Sequence, residues 1–186
     1  MTGEESSNLS QMTDRLQIEP MGLHHSTLLF HALDYESIYE FIPNQRPKDA
    51  DEVLARIKRV RAGPSMESDE LWLNFVVLLD GEIIGRLEAT LVNSWAEIAY
   101  LFDPTYSGKG YATEGTLWLI DHIYKNYQVT EFWATTDPNN LKSIQLLLRC
   151  GFKIDSLPEH GIRSYDEGDS IFRLRRSPGH SDNMTP

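Results

Sequence analysis

Two apolar runs joined by Asp80-Gly81 constrain this chain more than any other feature. Leu71-Trp-Leu-Asn-Phe-Val-Val-Leu-Leu79 reads as a buried strand, and residues 83–92 read as its returning partner. Asp-Gly between two such runs supplies the positive φ that a two-residue hairpin turn requires. Asn93-Ser94 gives a second turn and residues 95–102 a third strand. The middle of the chain is therefore an antiparallel meander. A doubly wound parallel sheet is excluded, because its strands need helical crossovers between them.

Helical patterns lie on both sides of the meander. Leu16-Gln-Ile18 is a short alternating strand. Residues 26–42 read as helical, broken near Asp34 and ended by Pro43. Residues 49–61 read as the next helix, with Val53, Leu54, Ile57 and Val60 as its apolar stripe and Gly63-Pro64 as its stop. After the meander, Asp103-Pro104 ends the third strand. The loop Thr105-Tyr-Ser-Gly-Lys-Gly110 leads into a helix over 110–126. Ala112, Thr116, Leu119, Ile120, Ile123 and Tyr127 form its buried stripe. Residues 129–136 read as a strand, rich in β-branched and aromatic side chains. Asp137-Pro-Asn-Asn140 is a turn that caps a helix running to Cys150, with Ile144, Leu147 and Leu148 facing inward and Gly151 as its stop. Residues 152–157 and 170–175 are the last two strands. The order β-α-α-β-β-β-α-β-α-β-β predicts a mixed α+β fold.

With 186 residues the chain has room for one domain. Residues 1–13 and 177–186 are polar and read as disordered tails, leaving 14–176 as the domain. No unbroken apolar run is longer than Phe75 to Leu79, far short of the roughly 20 residues that span a bilayer. The net charge of −11 argues against nucleic-acid or anionic-membrane partners. One basic cluster, Arg56, Lys58, Arg59 and Arg61, follows Asp49, Asp51 and Glu52 on the same helix. It reads as a solvated face with acid at its start and base at its end. Cys150 is the only cysteine, so no disulfide forms within the chain and a cytoplasmic location is expected. No pair among the histidines has zinc-motif spacing, and the adjacent His24 and His25 are expected to point apart on regular structure, so no metal is expected.

In so acidic a chain, an anion must be held by local donors. Ser107-Gly-Lys-Gly-Tyr-Ala112 puts two glycines where a strand hands over to a helix. The first turn of that helix presents unpaired N–H groups and the positive end of the dipole, which together suit phosphate, with Lys109 assisting. The spacing fits neither Walker A nor the dinucleotide fingerprint, since Lys109 is followed by Gly110 and the third glycine position is Thr113. A tight turn that binds nothing would need the same glycines. Asn140 and Ser143, three residues apart, share one side of the next helix start. Plain capping is their structural alternative.

Taken as a set, these motifs resemble the GNAT superfamily of acetyl-CoA-dependent N-acetyltransferases, and most of all its RimJ/RimL-like branch, which includes enzymes acetylating the N-termini of ribosomal proteins. The carriers are Glu97-Ile-Ala-Tyr100, Pro104, Gly108-Lys-Gly-Tyr-Ala-Thr-Glu114, Asn140-x-x-Ser143 and Gly151-Phe152. Two positions depart from the pattern: Ser107 stands where the loop usually has Gln or Arg, and Ala99 where the strand usually has Gly. The resemblance implies the GNAT fold, a mixed and mostly antiparallel central sheet of about six to seven strands flanked by about four helices. It also implies a V-shaped split between the fourth and fifth strands, with acetyl-CoA lying in it. Backbone groups near Leu101 and Phe102 would pair with the pantetheine arm as an added strand. Ser107, Gly108, Lys109, Gly110, Tyr111, Ala112 and Thr113 would hold the pyrophosphate, and Asn140 would bond the pantetheine.

The implied chemistry is direct attack of a primary amine on the thioester. Glu97, from its place in the motif, is the candidate base that takes the amine's proton. Ser143 is the candidate partner of the departing thiolate, with Tyr100 and Tyr111 as rivals. Cys150, at a helix end, reads as a buried structural thiol. Asp34, Glu36, Glu40, Glu159, Asp166, Glu167 and Asp169 fall where the family admits its acceptor. They suit a cationic amine such as a protein N-terminus, a polyamine or an aminosugar. A non-catalytic CoA sensor or interaction domain is the alternative, and both monomer and homodimer stay open.

Overall fold

Asp80 and Gly81 take φ of 51° and 85°, the left-handed pair of a type I′ turn. They join β3 (Glu70–Leu79) to β4 (Glu82–Val92) in the computed structural model, which describes residues 10–42 and 46–177. Asn93, with φ of 52°, then turns the chain into β5 (Trp95–Phe102). Before the meander come β1 (Gln11–Met12), β2 (Gln17–Pro20), α1 (Ser26–Leu33) and α2 (Ala50–Ala62). After it come α3 (Tyr111–Tyr127), β6 (Glu131–Thr136), α4 (Leu141–Arg149), β7 (Lys153–Asp155) and β8 (Ser170–Arg175). The strands form one eight-stranded sheet in the order β1-β2-β3-β4-β5-β6-β8-β7. Every neighbouring pair is antiparallel except β5 and β6. The architecture is the α+β fold anticipated, with four α-helices among the described residues.

The parallel pair positions the site. β5 and β6 are in register only over Trp95–Glu97 and Glu131–Trp133. Beyond Glu97 they part, and β5 keeps a strand partner only on its β4 side. The sheet thus opens into a V between the strands that directly precede and follow α3. Side chains alternate across it. Leu87, Ala96, Ile98 and Phe132 face the core under α3 and α4, with Leu119, Ile120, Ile123 and Leu147. The opposite face carries a smaller cluster beneath α1 and α2, built on Leu29, Leu33, Val53, Ile57 and Val76.

Several expectations need correction. Part of the segment 1–13 read as a tail is ordered. Gln11–Met12 pairs with Gln17 and Ile18, and the Thr13 hydroxyl donates to Glu114 on α3, so a polar hairpin docks on a helix without burying much apolar surface. Residues 1–9 and 178–186 lie outside the described residues, as does Pro43. Of the helical reading of 26–42, the break near Asp34 is found, since α1 ends at Leu33 with Asp34 as its cap, but beyond it only a 3-10 turn at Glu36–Ile38 follows. On α4 the inward leucines are Leu146 and Leu147, while Leu148 is exposed. Three leucines in a row leave the face ambiguous, and Cys150 and Ser143 fix it. No helix among the described residues is long and apolar enough to cross a membrane.

Candidate active site

The loop after β5 is built by short local bonds. Asp103 is buried and its Oδ1 accepts from the Thr105 N–H at 2.8 Å and the Thr105 hydroxyl at 2.7 Å. That fixes a 3-10 turn at Pro104–Tyr106. Gly108 and Gly110 follow with φ of 79° and 84°. Both values lie in the left-handed region that costs a side-chain-bearing residue energy. Gly110 is the N-cap of α3, so the first N–H groups of the helix face outward from the loop with no side-chain cap. Lys109 lies outward with its Nζ 5.5 Å from the Tyr106 ring centroid. Tyr111 and Ala112 rest partly buried on the main core.

The open edge of β5 runs beside this helix. Leu101 packs into the smaller cluster and Phe102 onto the main core, so their side chains lie on opposite faces and their backbone lies along the V. A side chain at Gly85 would meet the Leu101 carbonyl at 2.7 Å. Glycine there lets β4 press against β5. Ala99 is exposed, opposite Glu88 in register, so its methyl lies on the face away from α4.

On the α4 side of the V, the Tyr100 hydroxyl lies 2.9 Å from the Ser143 Oγ. Burial pushes the Tyr100 phenol well above its ordinary range, and the Ser143 hydrogen bond only partly offsets it. The phenol therefore keeps its proton at any physiological pH. Asn140 caps α4 through its Oδ1, which accepts from the Ser143 N–H at 3.1 Å. That leaves the Asn140 amide donors turned outward from the cap. Thr113 and Cys150 mark where α3 meets α4, with Sγ 4.0 Å from the Thr113 carbonyl. Burial raises the Cys150 thiol to about 11.

On the other face, Glu97 is buried. Its carboxylate accepts from the Ser164 N–H at 2.7 Å and the Arg163 N–H at 3.1 Å. The loop between β7 and β8 is thereby drawn over the site. Arg163 also pairs with Glu70 on β3, and Ile162 packs with Trp133 and Ile171. His160 stacks on Trp95 at 4.2 Å. Glu97 and the Tyr100–Ser143 pair thus stand on opposite faces of one strand, where that strand parts from its neighbour.

The acetyltransferase (GNAT) domain matches residues 15–153. The chain belongs to the GNAT acetyltransferase family. An uncharacterized N-acetyltransferase, p20 of Bacillus licheniformis, is 24% identical over 158 residues, covering 83% of this chain and 86% of that protein. Among solved structures, the ribosomal-protein-S5-alanine acetyltransferase of Vibrio fischeri superposes with a TM-score of 0.73 at 17% identity, over 96% of this chain and 100% of that one. RimJ of Mycobacterium smegmatis, in complex with CoA-disulfide, gives 0.72 at 20% identity, over 86% and 81%. The chain is an N-acetyltransferase, and its family uses acetyl-CoA.

Two groups of residues in this GNAT enzyme carry no motif signal. Arg15 donates to the Lys109 carbonyl at 2.9 Å and to Glu114 at 2.7 Å, and its guanidinium lies 4.6 Å from the Tyr111 ring centroid. It brings a positive charge to the glycine loop from a segment far away in sequence. The second group corrects the reading of α2 as a solvated face with acid at its start and base at its end at one residue: Lys58, Arg59 and Arg61 are exposed as expected, but Arg56 is not. Arg56 turns inward and binds both oxygens of Glu88 at 3.0 Å, and Arg61 reaches the Met21 carbonyl at 3.3 Å. Arg56 sits three residues after Val53 and one before Ile57, a spacing that already put it beside the buried stripe. The two adjacent histidines also need correction. Instead of pointing apart, they lie on a 3-10 turn with rings 3.8 Å apart and converge with Glu19. The His25 Nδ1 there accepts from the Gly22 N–H.

Proposed function

We propose that this GNAT enzyme moves the acetyl group of acetyl-CoA directly to a primary amine that enters opposite α4. The observation that carries this reading is the parting of β5 from β6 just past Glu97. An extended pantetheine arm can occupy that gap as an added strand, bonding backbone groups near Leu101 and Phe102. The pyrophosphate then meets residues 107–113, where the α3 N–H groups and Arg15 oppose its charge. The outward amide of Asn140 is available to the arm.

The reaction needs a neutral amine and a protonated leaving group. One backbone N–H on each Glu97 oxygen leaves each oxygen a further lone pair. Glu97 therefore can take the proton released by the attacking nitrogen, directly or through water. On the other face, Ser143 donates to the departing sulfur, and the Tyr100 phenol donates to Ser143 in turn. Glu36 and Glu40 line an open cavity of about 700 Å³ together with Arg46, and their carboxylates suit the ammonium form of an incoming amine. Following free thiol release across a panel of primary amines tests this function. Release that requires both acetyl-CoA and an amine supports it. Stoichiometric acetyl-CoA binding with no release for any amine would leave only a CoA-binding domain.

A further inference from the structure

A cavity of about 390 Å³ lies between α1, α2 and β4. Its polar lining is Tyr39, Arg46, Glu52, Arg56, Arg59 and Arg86. Four guanidinium groups in one pocket are unexpected in a chain of net charge −11. Their built-in partners do not balance them. Glu88 is shared by Arg56 and Arg86, Asp34 pairs with Arg46 at 3.0 Å, and Glu52 is occupied with the Lys48 N–H and side chain. Arg59 faces the pocket with no ion pair among the described residues.

Arg86 is the decisive group. It is 7% exposed, and its Nε, like that of Arg56, is buried without a hydrogen-bond acceptor among the described residues. A buried guanidinium with an idle donor is costly unless something completes it. A structural staple between α2 and β4 would need one arginine against Glu88, whereas two are present. Planar guanidinium forks match the paired oxygens of a carboxylate or phosphate.

The location gives this pocket a role. Arg86 stands opposite Leu101 in register and Glu88 opposite Ala99. Leu101 and Ala99 lie on the edge of β5 that has parted from β6. Arg86 is therefore on the strand next to β5, roughly 4.8 Å from it backbone to backbone and about two such spacings from the gap where the thioester would sit, and it shares the face of Glu97. We infer that the acceptor is an amine carrying an oxyanion, a carboxylate or a phosphate, a few bonds from its nitrogen, and that Arg46, Arg56, Arg59 and Arg86 hold that oxyanion. This deepens the acetyl-transfer reading and rests on it for the meaning of the site, while the anion site itself can be tested without any thioester.

The test uses the full chain in two arms. In the first, melting temperature is followed during titration with sodium phosphate and separately with sodium acetate, ionic strength being held constant with sodium chloride. A saturable rise is expected with at least one anion. Phosphate alone would point to a phosphorylated amine, and acetate to a carboxylate. The midpoint should weaken at least tenfold in Arg86→Gln and in the Arg46→Gln/Arg59→Gln double variant, whose changes lie at the exposed side of the pocket and keep the test valid if Arg86→Gln does not fold. No saturable rise with either anion, or an unchanged midpoint in the double variant, overturns the inference. In the second arm, KM is compared for 2-aminoethyl phosphate against ethanolamine, and for β-alanine against its amide, with spermidine as a cationic control. At least one anionic amine should show a KM tenfold or more below its neutral counterpart, and the double variant should bring that ratio toward one. Equal values across the panel, or preference for spermidine, overturn the inference and leave acetyl transfer standing. Where no amine is turned over, the titration alone decides the anion site, and acetyl transfer is the reading that has failed.

Discussion

Glu97 holds a loop and is the last residue of β5 paired with β6. The backbone N–H groups of residues 163 and 164 each donate to one of its oxygens and fix the orientation of the carboxylate. Glu97→Gln should lower kcat/KM by about 100-fold or more, with activity partly recovered as pH rises and more of the amine is already neutral. A purely structural role would lower melting temperature without reshaping that pH profile. Tyr100→Phe removes the proton behind Ser143 and should cut kcat by about tenfold with acetyl-CoA affinity retained, on the scale of one lost hydrogen bond of about 1–1.5 kcal/mol. Equal kcat in the variant would leave Ser143 acting without it. Cys150, raised to about 11 by burial, should resist thiol reagents at pH 8 in the native protein and react once it is denatured. Fast labelling of the folded chain would contradict its burial.

At the scale of elements, the N-terminal hairpin and α3 act together. Burial alone would raise the Glu114 carboxyl, but the Thr13 hydroxyl and the Arg15 guanidinium and N–H hold it below the ordinary value of 4.5. A carboxyl depressed in the folded state adds stability above its unfolded pKa and loses it as pH falls through the folded one. Glu114→Gln should therefore lower the melting temperature at pH 7, and the difference from wild type should vanish under strongly acidic conditions. A difference that persists there would assign the effect to packing. This hairpin was not legible in the sequence, because Thr13, Arg15 and Glu114 are polar residues about a hundred positions apart, and periodicity reports only what is buried. The glycine loop was legible, since Gly108 and Gly110 sit at the two left-handed positions the turn requires. The face of α4 was half legible: Leu147 points inward as its spacing implies, but Leu148 does not, because adjacent leucines satisfy a helical stripe equally well in either phase.

Across the whole molecule, the meander and the helices around it were readable because hairpin turns, caps and apolar stripes are local signals. The V was not readable from those signals, since it depends on where two strands separated by α3 stop pairing. It entered through the resemblance carried by residues 95–152, and the register of β5 and β6 accounts for it physically. The arginine pocket escaped for the same reason as the hairpin: α2 and β4 meet only in the folded chain. The claim on which the rest depends is that the α3 N-terminus and the open edge of β5 together bind acetyl-CoA. Calorimetric titration of the native chain with acetyl-CoA tests it most directly. One site per chain with a dissociation constant in about the micromolar range is expected, weakened at least tenfold by Gly110→Ala, which forces a side chain into the left-handed cap of the loop. An absence of binding heat across several temperatures, or an affinity that Gly110→Ala leaves untouched, would contradict it.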